Sequence, residues 1–177
     1  MVIWITGLSG AGKTTLCEAV RDLVKPHLPE LVLLDGDVVR AAFGHNLSHS
    51  ESDRITQVRR LQSMSRVLAE QGLAVLVGVL YGNAELLAWN RENLPNYFEV
   101  YLNASLETAE RRDAKGLYEQ ARTGLMSDVV GIDIPWYEPI APDLVFNQDC
   151  PEPPEILARR LANAVPRLRM ALSNTPD

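Results

Sequence analysis

Residues 7–14 read Gly7-Leu8-Ser9-Gly10-Ala11-Gly12-Lys13-Thr14. The spacing is that of a phosphate-cradling loop, G-x-x-x-x-G-K-[ST]. Its glycines let the backbone turn N–H groups inward around an anion. The flanks supply the setting this mechanism needs. Val2 to Thr6 is a β-branched and aromatic run that reads as a buried strand. After the loop, Leu16, Val20, Leu23 and Val24 share one helical face. A helix opening near Lys13 aims its positive dipole end at the same anion. A chance glycine-rich turn would have neither flank. Lys13 is therefore expected at the β- and γ-phosphates of ATP, and the Thr14 hydroxyl on Mg²⁺.

Working outward, strand and helix alternate. Pro26 and Pro29 end the first helix, and Leu31 to Leu34 is a second strand stopped by Asp35-Gly36-Asp37. Residues 38 to 53 read as irregular and polar. A long helix is predicted from Arg54 to Gln71, with Gly72 as its stop. Leu73 to Leu80 is a continuous apolar run, the mark of a strand buried on both faces. Glu85 to Asn93 reads as helix, Tyr97 to Leu102 as strand, and Ser105 to Arg112 as helix. Residues 113 to 142 carry charges, glycines and prolines and read as a lid. Leu144 to Asn147 is a last strand, and one final helix is striped by Leu157, Leu161, Val165, Leu168 and Leu172. The residues after it are expected to fray. The fold class is α/β: a parallel sheet of about five strands with helices on both faces and a lid over the loop ends.

The chain of 177 residues fits one domain, residues 1–177, with a core of its own. A net charge of -6 excludes the basic face that a nucleic-acid polymer demands. It leaves room for a small anionic ligand, because a few arginines in a cleft dominate the local field. Cys17 and Cys150 suggest neither a disulfide framework nor a metal site. No apolar run is long enough to span a bilayer, and Met1 leads directly into the apolar Val2. A cytoplasmic protein with no membrane partner is expected.

The phosphate loop alone does not separate a kinase from a switch or a motor. No Asn-Lys-x-Asp element for guanine is present. Asp35 and Asp37 end the second strand, where ligands sit in parallel sheets. One carboxylate can hold the magnesium shell and the other can take a proton from an attacking hydroxyl. Without the loop before it, Asp-Gly-Asp would read as a surface turn. Arg40 and Arg54 flank loops facing the same place and suit an anionic substrate. Arg59 and Arg60 read equally well as a solvated helix face. Around Arg112 to Tyr118 a helix end meets a glycine-containing loop, as in a lid that closes cations over phosphate.

Taken together, these segments resemble the adenylylsulfate (APS) kinase family, which phosphorylates the 3′-hydroxyl of adenosine 5′-phosphosulfate. The resemblance runs through residues 7–15, Leu34-Asp35-Gly36-Asp37-Val38-Val39-Arg40, Ser50 to Arg54, Phe98 to Tyr101, Arg112 to Tyr118 and Gly131-Ile132-Asp133. It covers residues 2 to about 147, and the lid and the Asp-Gly-Asp-x-Val-Arg segment are its specific parts. It implies Gly7, Leu8, Ser9, Gly10, Ala11, Gly12, Lys13, Thr14 and Thr15 as the ATP phosphate site. Arg112 would flank the ATP base. Asp37 and Lys13 would be catalytic, and Thr14 and Asp35 would hold Mg²⁺. Asp37, Arg40, Arg54, Gln57, Leu80, Lys115, Gly116 and Leu117 would contact the nucleotide substrate. The family's frequent dimers make a homodimer part of what the resemblance implies.

The departures from the family pattern cluster on the acceptor side. His49 stands where the family has an aromatic, Gln57 where it has asparagine, and Val79-Leu80-Tyr81 where it has Ile-Ser-Pro. Asp128-Val129-Val130 replaces Gly-Phe-Thr, and Pro135 to Pro139 carries one residue more than the family's segment. Two readings stay open. In one, His49, Tyr81 or Trp136 stacks in place of the lost rings of an APS kinase. In the other, the acceptor is another nucleotide with an anionic 5′ group, such as a cytidine diphosphate derivative (cytidine diphosphoramidate, for instance). A kinase for a neutral hydroxyl suits the cations less well. A nucleotide sensor without turnover would have no need of Asp35, Asp37 and Lys115.

Overall fold

The computed structural model describes residues 1–113 and 115–173. Strand and helix alternate as the hydrophobic runs require: β1 (Val2–Thr6), α1 (Lys13–Val24), β2 (Leu31–Asp35), α2 (Gly36–Ala42), α3 (Glu51–Glu70), β3 (Ala74–Val79) and α4 (Ala84–Asn93). They continue as β4 (Tyr97–Asn103), α5 (Leu106–Arg111), α6 (Leu117–Arg122), β5 (Leu144–Asn147), α7 (Pro154–Ala164) and α8 (Pro166–Ser173). The strands form one five-stranded sheet in the order β2-β3-β1-β4-β5, and every pairing is parallel. All five carboxyl ends therefore open on the same edge.

Both faces of β1 are covered, which explains its unbroken apolar run. Ile3 and Ile5 pack with Leu16 and Val20 of α1 and Leu157 and Leu161 of α7. Val2 and Trp4 point the other way, into a cluster with Val58 and Leu61 of α3 and Leu86 of α4. Among the described residues no helix is long and apolar enough to cross a membrane.

Three readings of the sequence change. Residues 38 to 53 are not irregular throughout: α2 fills Gly36–Ala42, and α3 begins at Glu51. Ser50 caps α3 by accepting the Asp53 N–H at 3.4 Å. The single C-terminal helix is two. Val165 takes an extended conformation, φ −97 and ψ 112, because Pro166 follows it and disfavours helix in the preceding residue. The lid segment holds the short helix α6 and a parallel bridge between Val130 and Ile134. The fraying expected after Leu172 does not begin at Ser173, which ends α8; its remainder, residues 174–177, lies outside the described residues, as does Ala114 of the lid motif.

The far end of the lid is anchored through a partly buried polar cluster. Asp143 accepts the Glu99 N–H at 2.7 Å and pairs with Arg91 at 3.2 Å. Glu99, only 2% exposed, accepts from Tyr97 Oη at 2.9 Å and has Arg91 at 3.6 Å. Burial pushes its carboxyl up, against the pull of Tyr97 and Arg91.

Trp4 is the largest side chain sealed in the sheet core, at 1% exposure. Trp4→Ala should destabilise the protein by about 3–5 kcal/mol. Urea unfolding should show a lower midpoint with little change of slope.

Candidate active site

The loop between β1 and α1 is shaped by tight backbone approach. Gly10 has φ +80, and a Cβ there would lie 2.8 Å from the Ala109 carbonyl oxygen of α5. Only glycine fits that conformation and that gap. Gly12 then caps α1 in the left-handed region, and the helix begins at Lys13. The Lys13 ammonium folds back to donate to the Gly7 and Leu8 carbonyls at 2.9 and 2.8 Å. Burial pulls its pKa from 10.5 to about 8, with Asp37 and Asp35 acting in the opposite direction. Thr14 and Thr15 are exposed at the helix start.

Asp35 joins the loop to the next wall of the site. Its Oδ1 accepts the N–H groups of Asp37 and Val38 at 2.9 and 3.2 Å and so starts α2. Its Oδ2 accepts the Thr14 hydroxyl at 3.3 Å. Thr14 and Asp35 thus offer an oxygen pair that could hold Mg²⁺, an ion that takes few protein ligands beside phosphate and water. One turn on, α2 presents Asp37 and Arg40. Lys115 of the lid sits 3.6 Å from Asp37. Both are well exposed, so this pair sets position rather than stability.

A cleft of about 500 Å³ opens here, and Ser9, Asp37, Arg40, Arg54, Gln57, Leu80, Lys115 and Leu117 all line it. The structure thus brings together the acceptor-side residues expected from the sequence, Gly116 excepted. Gly116 is instead the left-handed turn that opens α6, at φ 66. Arg40 Nη1 donates to the carbonyls of Leu47 and Ser48 at 3.2 and 2.9 Å. Arg54 donates from Nε to His49 O at 2.8 Å and from Nη2 to Asp128 O at 2.7 Å. Each arginine is half a structural brace, and each keeps N–H groups for a ligand. Burial first, then the charge of Arg40, lowers the Arg54 pKa. Two cations drawn into one cleft are relieved by an anion.

Of the three aromatic candidates, two are at the cleft. His49 lines it, its imidazole held neutral at pH 7 by burial and by Arg54. Tyr81 lines it too, fixed by donating to Glu51 Oε1 at 2.7 Å and by edge-on contact with Tyr137. Trp136 does not. It packs on Tyr101 with centroids 6.2 Å apart and lines a second cleft beside Leu8. The extra residue between Pro135 and Pro139 thus leaves the tryptophan on the other side of the loop.

Arg112 lies on the β5 side, where Nη2 donates to the Gln148 carbonyl at 2.6 Å. Gln148 is itself 3.8 Å from where a Cβ on Gly12 would stand. Arg59 and Arg60 resolve as surface groups: Arg59 pairs with Glu85 at 3.7 Å, and Arg60 stacks on Phe43 at 4.8 Å. One residue of the site, His45, escaped sequence reasoning, and Tyr118, present in the lid motif, has no role of its own in that reasoning. Tyr118, 2% exposed, donates to Ser9 O at 3.0 Å and ties α6 to the phosphate loop. His45, at φ 51, also lines the cleft. No periodicity or spacing marks either one.

Comparison with known proteins gives this arrangement its family. The adenylylsulphate kinase family model matches residues 1–147. An adenylyl-sulfate kinase of Picosynechococcus is 38% identical over 152 residues, covering 86% of each chain. A cytidine diphosphoramidate kinase of Campylobacter jejuni is 35% identical over 165 residues, covering 91% of this chain and 96% of its own. The solved APS kinase of Mycobacterium tuberculosis, in complex with AMPPNP and APS, superposes with a TM-score of 0.79 at 31% identity. That match covers 92% of this chain and 95% of the other. With its phosphate loop, its Asp35–Asp37 corner and its cationic cleft on that frame, the chain belongs to the adenylylsulphate kinase family and is a phosphotransferase.

Proposed function

We propose that the chain transfers the γ-phosphoryl group of MgATP to the ribose 3′-hydroxyl of a 5′-modified anionic nucleotide, with adenosine 5′-phosphosulfate as the acceptor. One observation carries this reading. A single cleft has the phosphate loop at one end, Asp37 with Lys115 at 3.6 Å, and the Arg40–Arg54 pair beyond. In this arrangement Asp37 accepts the proton of the attacking hydroxyl. Lys13 swings from the Gly7 and Leu8 carbonyls to the phosphates. Arg40 and Arg54 hold the anionic 5′ group with their remaining N–H donors. Lys115 is placed to meet the charge that builds between donor and acceptor. Mg²⁺, held by Thr14 and Asp35, would supply charge neutralisation at the phosphates. Arg112 beside Gln148 would flank the ATP base. The cytoplasm and a homodimer, the latter supported by the family resemblance, complete the proposal.

A second reading has a specific observation behind it. Two phenyl rings of the family pattern are absent, and Leu80 and Asp128 line the cleft in place of smaller groups. The same chemistry on a cytidine diphosphate derivative fits those changes. The diphosphoramidate kinase relative supports it, though at lower identity than the adenylyl-sulfate kinases.

The test is ADP release from MgATP with each acceptor. Turnover on the first supports the leading reading, turnover on the second alone supports the other, and ATP binding without turnover on either defeats both. Asp37→Ala should lower turnover at least about 100-fold while ATP still binds. Asp35 separates two duties. Asp35→Asn keeps an acceptor for the α2 cap and should lose Mg²⁺-dependent activity with little loss of stability. Asp35→Ala should lose both, with about 1 kcal/mol of stability gone in denaturant unfolding.

Lys13 supplies a pH test. Its folded pKa of about 8 lies below the ordinary 10.5, so the folded chain binds fewer protons between those values. This group therefore adds stability as pH rises through that window. Phosphate binding needs the cation and changes in the opposite sense. Affinity for a non-hydrolysable ATP analogue should fall about fivefold from pH 8 to pH 9 by calorimetry. Lys13→Arg should abolish that dependence.

A further inference from the structure

The acceptor cleft has a hydrogen-bond polarity that the anion-binding arginines do not explain. Gln57, 5% exposed, lines it. Its Nε2 donates to the Gly36 carbonyl at 3.0 Å, which fixes the orientation of the amide. Oε1 is the atom left over, buried and without a partner. A buried acceptor in that state asks for an N–H or O–H group.

Asp128 offers a second acceptor on the same cleft. It holds φ 65, a conformation that non-glycine residues rarely adopt. Both of its backbone groups are clamped there. Asp133 Oδ2 accepts its N–H at 2.5 Å, and Arg54 Nη2 donates to its carbonyl at 2.7 Å. Among the described residues its carboxylate accepts a hydrogen bond from the Ser127 hydroxyl alone, at 3.2 Å. Among the described residues no ion pair reaches it, although two arginines line the same cleft. The surroundings hold this residue in a strained conformation, with the Arg54 charge and the His49 imidazole near its carboxylate but not paired to it.

We propose that Asp128 reads the exocyclic amine of the acceptor's base, so that 6-aminopurine or 4-aminopyrimidine nucleotides are accepted and their keto counterparts rejected. Gln57 Oε1 takes a further hydrogen, from the same amine or from a sugar hydroxyl. A carboxylate attracts an amino group and repels a carbonyl oxygen put in its place, so the selection is exercised against the wrong base as well as for the right one. His49 does not undo it. A neutral imidazole donates from one nitrogen and accepts at the other, and so favours neither base class. The inference rests on the transfer reading above but is indifferent to which of its two acceptors is correct, because adenine and cytosine both carry the amine.

Matched acceptors test it. ADP release from MgATP is measured with adenosine and inosine 5′-phosphosulfate, and with cytidine and uridine diphosphates carrying the same terminal group. In whichever pair is used, the amino member should be favoured at least about 100-fold in kcat/KM. Asp128→Asn keeps a residue that tolerates the left-handed conformation and can turn its own NH₂ toward a carbonyl. It should reduce the preference to about tenfold or less. Calorimetry on the Asp37→Ala protein should rank the four acceptors in the same order without chemistry. Equal use of amino and keto members by the parent protein, or an unchanged ratio in Asp128→Asn, overturns this inference and leaves the transfer reading standing. Neither binding nor turnover with any of the four, while ATP binds, overturns the transfer reading and this inference with it.

Discussion

The site depends on one carboxylate whose two oxygens point at different elements. Asp35 Oδ1 collects the first N–H groups of α2, and Oδ2 receives the hydroxyl of Thr14. The end of β2 is thereby bound to the start of α1 across the mouth of the sheet. Without the cap, α2 would begin with orphan donors next to the phosphate loop. Asp37 and Arg40 project from the first turns of that helix, so their distance from the bound phosphates is set by the same carboxylate. Donor and acceptor sides share one anchor, which is how proximity is built into a transfer enzyme.

A second set of constraints places the lid. Tyr118 ties α6 to Ser9, Arg54 ties the returning loop to α3 through the Asp128 carbonyl, and Arg91 with Glu99 holds the far end at Asp143. Each tether joins the lid segment, or the residue just past it, to the phosphate loop or to a packed element. The lid cation Lys115 thus sits over Asp37 although the segment has little regular structure of its own. Burial raises the Tyr118 phenol to about 12, so this donor stays protonated wherever the enzyme works.

Much of this was legible in the sequence. The five strands and the phosphate loop stand out because a parallel strand buried on both faces is an unbroken apolar run, and because the loop's glycines answer a local backbone demand. The short helix α2 was hidden. It buries only Val39 and Arg40, leaving no stripe to read, and its start resembles an Asp-Gly turn. The break between α7 and α8 did have a signal, Pro166, but a leucine stripe running through it masked the boundary. The placement of Trp136 and the bracing duty of Arg40 and Arg54 had no local signal. They depend on which loop faces which, and that is fixed only when distant elements pack.

The same distinction explains why the resemblance is strong at one end of the cleft and weak at the other. The donor end is made of backbone. At Gly10 the conformation and the Ala109 carbonyl 2.8 Å away together exclude every side chain. Lys13 and Thr14 must leave the first turn of α1 at fixed angles. The acceptor end is made of side chains standing on α2, α3 and the loop around residue 128. Gln57, Leu80, His49 and Asp128 can each change without disturbing a strand pairing or a helix start. Asp128 meets a backbone demand there, the left-handed turn, while its side chain lines the cleft. A scaffold built this way can keep its phosphate loop unchanged while the side chains lining the other end of the cleft vary.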